Sequence, residues 1–159
     1  MGGCRVKSWT PLHQDESSDC METCASSLLG RHEPFVLPRT SDCNWLELQL
    51  LLRREHGIQL RHHPLTVTAY RDVPRFGAYA MLGLVDDPDS GKPHAVITQR
   101  DRAGALAVTH DPTRAVPADS YRVTKIASFE KSPGSTFEPF QPHNGCVVAG
   151  CSPWRWHGY

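Results

Sequence analysis

Apolar positions fall into two rhythms along this chain. In the first third they recur at helical intervals. Ala25, Leu28 and Leu29 gather behind Asp19-Cys20-Met21-Glu22, and Gly30 follows as a stop, which predicts a short helix. Asp19 is suited to the N-cap, and Glu22 at the third helical position makes a variant of the capping box. A second helix is predicted between Asp42 and Gly57. Trp45, Leu48 and Leu52 form one helical row, and Leu46 and Leu50 another. Asp42 or Asn44 can cap its start, and Gly57 closes it. Before the first helix, residues 1–13 read as an extended lead-in with Trp9 and Leu12 as anchors. Between the helices, Pro34 and Pro38 make 31–41 irregular.

From Ile58 onward the pattern turns to strands. Ile58–Val67 is an extended segment broken by Pro64, and Ala69–Arg75 a brief helix or turn stopped by Pro74. Ala78–Val85 is a compact apolar run, read as a buried strand. Turn residues fill 86–93, His94–Gln99 is a strand, 101–104 turns, and Ala105–His110 is another strand. Together these three predict an antiparallel meander. Asp111-Pro112 ends it, and Tyr121–Phe129 can add a strand. From Lys131 onward, Pro133, Pro139, Pro142 and Pro153 predict an irregular tail, with Phe137, Phe140, Trp154 and Trp156 expected to pack on the body. The expected class is α+β, with N-terminal helices packed on an antiparallel sheet, in a domain of residues 1–130 followed by a 131–159 tail.

The 159 residues suffice for one domain with a core. Seventeen basic and 17 acidic residues cancel, so the charge carries no signature of nucleic acid or an anionic membrane. No apolar run approaches the roughly 20 residues of a membrane helix, so no membrane insertion is expected. The start, Met1–Lys7, lacks the apolar core of a secretory signal. The 6 cysteines are therefore expected as reduced thiols in a cytosolic setting.

Cys20 is the residue that changes the picture. In the first turn of a helix, the unpaired N–H groups and the helix dipole favour a thiolate. Gln14, upstream, offers a side-chain N–H donor for an oxyanion. The second half of the chain supplies a base. His94 opens one strand and Asp111 follows the end of the next, so a hairpin would bring them to the same sheet edge. A histidine can accept the thiol proton while a carboxylate fixes its tautomer. Consecutive strand residues point to opposite faces, so His94, rather than His110, is the expected base.

These residues carry a resemblance. Gln14, Asp19-Cys20 and the small-residue helix, with His94-Ala-Val-Ile and Asp111-Pro112, resemble the motifs of papain-like peptidases that cut leader peptides after a double glycine. The chain is even more similar to small stand-alone papain-like proteins of bacteria and phages. The matching residues are Cys20–Leu29, Trp45, His94–Ile97 and His110–Pro112, within roughly residues 14–115. Met21 stands where the leader peptidases usually carry Gly, so the resemblance points to thiol-hydrolase chemistry more than to double-glycine cleavage.

The resemblance implies a papain-like fold and a cysteine peptidase or amidase. Cys20 would be nucleophile, His94 base and then acid, and Asp111 the orienter. Gln14 and the Cys20 N–H would form the oxyanion hole, with no metal or organic cofactor. Its expected partner is a peptide or protein substrate, cell-wall peptide included, and assembly with phage structural proteins is compatible with it. The expected location is cytoplasmic or virion-associated. Alternatives are a non-catalytic binding or virion-structural protein of the same fold, a transferase using thioester chemistry, and a zinc module built from Cys20, Cys24, Cys43 and histidines.

Overall fold

The computed structural model describes residues 9–15, 19–34, 36–37, 45–66, 80–100 and 104–135. Two helices, α1 (Cys20–Leu28) and α2 (Trp45–His56), pack on a five-stranded sheet. The strands are β1 (Ile58–His63), β2 (Met81–Asp86), β3 (Pro93–Arg100), β4 (Leu106–His110) and β5 (Arg122–Lys131). Every pairing is antiparallel, and the spatial order is β1-β5-β2-β3-β4. The α+β class and the β2-β3-β4 meander are as the sequence predicts. The insertion of β5 between β1 and β2 is not visible in the pattern.

The cap of α1 forms as expected. Asp19 Oδ1 accepts from the Met21 and Glu22 N–H groups, and Glu22 Oε2 accepts from the Asp19 N–H. Glu22 is fully buried and also accepts the Leu37 N–H, so one carboxylate serves the cap and ties down the following loop. Gly30, at φ 67°, ends the helix in the left-handed region, where it carries no Cβ penalty.

Alternation along the strands sets the core. Ile58 and Leu60, Leu82 and Leu84, Ala95 and Ile97, and Ala127 and Phe129 pack with Met21, Cys24, Ala25, Leu28, Leu48 and Leu52 of the helices. Met81, Val85, Val96 and Ile126 are also buried, so the central strands are covered on both faces. This is why β2 reads as a near-continuous apolar run. On α2 only one of the two predicted rows is used: Leu48 and Leu52 are buried, whereas Leu46 and Leu50 are exposed. A helix lying on a sheet buries one stripe.

The lead-in is pinned as predicted, with Trp9 against the core and Leu12 partly buried. Its Thr10 N–H donates to the Ser27 carbonyl and its Leu12 N–H to Ser27 Oγ. At the far end of the chain, β5 runs to Lys131. The Ser132 N–H then donates to the Gly57 carbonyl, and Ser135 lies against Gly57, where no Cβ would fit. The brief helix or turn predicted at 69–75 and the aromatic residues of the tail lie outside the described residues. Among the described residues, no helix is long and apolar enough to cross a membrane.

Candidate active site

Three elements converge where the sequence placed its candidates. Cys20 opens α1 and is partly exposed. His94 is the second residue of β3, paired with Val85 of β2, and Asp111 directly follows β4. A bulge between Ile97 and Thr98 in the β3–β4 ladder shifts the register just before the strand ends. Bulges bend a strand and re-aim its side chains.

Asp111-Pro112-Thr113-Arg114 is a turn written into the local sequence. Proline suits its second position, and the aspartate side chain bonds to the backbone two residues on. The Arg114 N–H donates to the Asp111 carbonyl at 3.2 Å. Asp111 Oδ1 accepts from the Thr113 N–H at 2.9 Å and the Thr113 hydroxyl at 2.7 Å. The same oxygen meets His94 Nε2 at 2.8 Å. Oδ2 accepts from Arg114 Nη1 at 2.6 Å and from the Tyr121 hydroxyl at 2.8 Å. Burial alone would raise the Asp111 carboxyl. The bonds from His94, Thr113 and Tyr121 outweigh it and hold the group far below the ordinary carboxylate range.

His94 is buried, which pushes its imidazolium down. The Asp111 carboxylate and then the hydrogen bond with Cys20 outweigh that and raise it to about 9. His94 is therefore protonated at neutral pH. Its Nε2 is taken by Asp111, which leaves Nδ1 for the sulfur. The Ala95 N–H also donates to Cys20 Sγ at 3.3 Å, a backbone contact suited to a thiolate. One turn along α1, Cys24 is fully buried, and burial raises its thiol well above the ordinary value. The Asp19 cap takes the Met21 and Glu22 N–H groups and so does not consume that of Cys20.

No family model matches the chain, and no curated protein or solved structure does.

Gln14 sits on the lead-in, where its N–H donates to the Pro112 carbonyl at 2.8 Å. Its residue is exposed. Together His13–Asp15 and Pro112–Ala115 line an open depression of about 660 Å³ beside the Asp111 turn. His110 turns away from the Cys20–His94 pair. Its Nε2 lies 2.7 Å from the Leu12 carbonyl, with Trp9 and His13 against its ring. Of the zinc candidates, Cys43 lies outside the described residues. Among the described residues, no cluster of three His, Cys, Asp or Glu side chains could hold a metal.

Thr113, Arg114, Tyr121 and the Ala95 N–H were not among the sequence candidates. The signal for Thr113 and Arg114 was present in the Asp-Pro turn, whose following residues sit under the aspartate. Tyr121, 10 residues on, had no such local sign.

Proposed function

We propose that this chain is a papain-like cysteine hydrolase that cleaves a peptide or amide bond. The observation that carries this reading is the convergence of a helix-start cysteine, His94 and a buried, ionised Asp111, with His94 Nε2 2.8 Å from Asp111 Oδ1 and the Ala95 N–H donating to Cys20 Sγ at 3.3 Å. A merely structural histidine does not need a partly exposed thiol beside it and a fully buried carboxylate on its Nε2. The helices packed on an antiparallel sheet, with Cys20 opening the first of them, fit the papain-like arrangement.

In this reading Cys20 Sγ attacks the carbonyl carbon as a thiolate, and the carbonyl oxygen takes the negative charge. The Cys20 N–H and the Gln14 side chain stabilise that oxyanion. His94 gives its proton to the leaving nitrogen, the C–N bond breaks, and an acyl thioester remains on Cys20. Neutral His94 then takes a proton from water. The resulting hydroxide displaces the thiolate, releasing the acid and restoring the ion pair. Asp111 stays ionised throughout and holds the ring. The peptide lies along the depression bordered by Gln14 and Thr113.

The test is to incubate the protein with a library of peptide amides and follow intact mass and product release. A transient acyl adduct that maps to Cys20 and is absent in Cys20→Ala is expected. If no adduct or product forms while His94 still titrates near pH 9, the hydrolase reading is lost and a binding protein of this fold remains.

A further inference from the structure

The hydrogen-bonded line does not stop at Asp111. The guanidinium that grips Asp111 Oδ2 is gripped in turn on its other side. Arg114 Nη2 lies 2.9 Å from Asp87 Oδ1 and 2.6 Å from Asp89 Oδ2, both on the β2–β3 turn. Asp87 is held in place by the Ser90 N–H and hydroxyl. From the surface inward the charges therefore alternate: Asp87 and Asp89 negative, Arg114 positive, Asp111 negative, His94 positive, with Cys20 at the end. Each neighbour competes for the charge between them. An arginine cannot shed its proton, so its share of Asp111 is permanent, whereas that of His94 depends on titration.

We propose that Arg114 is a positioning residue that divides the charge of Asp111 between itself and His94, and that Asp87 and Asp89 set how much of that charge it takes. The role of this poise in catalysis rests on the hydrolase reading above; the electrostatic chain does not. With Arg114 in place, His94 feels a partly neutralised carboxylate and can still release its proton to a leaving group. Without it, His94 holds the proton more tightly. Neutralising Asp87 and Asp89 frees Arg114 to draw harder on Asp111, so His94 holds its proton less tightly. Tyr121 fixes the same oxygen without a charge.

Other groups around the pair are Cys20, Cys24 and Asp19 at α1, and His110 of β4. They are common to every variant below, so differences between variants isolate Arg114 and its carboxylates.

The experiment is an NMR titration of the His94 ring, assigned by its loss in His94→Gln. In Arg114→Gln the midpoint should rise by about half a unit to one unit. In Arg114→Lys, which keeps the charge, it should move by less than about 0.3. In Asp87→Asn/Asp89→Asn it should fall by roughly 0.2–0.5, a smaller effect because Asp89 is 84% exposed and screened. An unmoved or lowered midpoint in Arg114→Gln, or a shift of the carboxylate pair in the same direction as Arg114→Gln, overturns the proposal. Should Arg114→Gln fail to fold, the surface pair decides by its direction alone. The readout needs no turnover. An inert protein with these shifts loses only the hydrolase reading, and an active one without them loses only this inference.

Discussion

Two histidines on one hairpin have met opposite fates. His94 near the start of β3 and His110 at the end of β4 are both 7% exposed, and burial presses both toward the neutral form. His94 nevertheless rises to about 9, while His110 is lowered below 6.5. The difference lies in what each ring nitrogen meets. His94 touches a carboxylate and a sulfur, and His110 touches the uncharged carbonyl of Leu12. Burial decides only that a histidine must have a partner; the partner's charge decides what the histidine becomes. The one is equipped to move a proton. The other clips the lead-in, and with it Gln14, to the end of β4.

Substitution should separate the two sharply. His94→Ala is expected to cut turnover by roughly 1,000-fold or more, since it removes base, acid and counter-ion together. His110→Ala should change it by less than about tenfold. The reverse ranking in a turnover assay would exchange the two assignments. Asp111→Asn comes next, with a loss of about 100-fold or more, because an amide can present N–H where the ring needs an acceptor. Circular dichroism on that variant should show the fold kept. Gln14→Ala should lower kcat by roughly 10- to 100-fold with a smaller change in KM, the signature of an oxyanion contact. A pure KM effect would make Gln14 a substrate contact instead.

The smallest effects are on stability. His110→Ala should cost about 1–3 kcal/mol, from lost packing on Trp9 and an unpaired Leu12 carbonyl, read as a lower urea midpoint. pH dependence also divides the pair. The folded pKa of His94 lies above its ordinary 6.5, so its stabilisation is full below about 6.5 and is lost as pH rises through about 9. That of Asp111 lies below 3.8, so its share is present above about 3.8 and is lost in acid. That of His110 is lowered, so its share is present above about 6.5 and is lost as pH falls through its folded value. Denaturant midpoints measured across pH in His110→Ala should therefore show a weaker dependence just below 6.5, where His62 and His63 are lowered too, and keep the one near 9.

Much of this was legible in the sequence where the information is local. The Asp19–Glu22 cap, the Leu48–Leu52 stripe and the β2-β3-β4 meander each follow from residues a few positions apart. The meeting of His94 and Asp111 follows from the hairpin that joins their strands. What was hidden depends on distant pairing. β5 enters between β1 and β2 through cross-strand contacts that leave no periodic mark. Asp87 and Asp89 read as turn residues, which they are, but the fold also lays them against Arg114. Leu46 and Leu50 fit a helical row as well as Leu48 and Leu52 do, yet only a sheet on one side tells which row is buried. Strand alternation separates His110 from the His94–Asp111 pair, while the bond of His110 to Leu12 requires the lead-in to cross β4.

On the hydrolase reading Cys20 is the nucleophile paired with His94, and iodoacetamide labelling near neutral pH bears on that pairing first. Mass spectrometry should find Cys20 alkylated first among the 6 cysteines. The labelling rate should fall by roughly 100-fold in His94→Ala. First labelling at Cys24 or any other cysteine, or an unchanged Cys20 rate in His94→Ala, would contradict it.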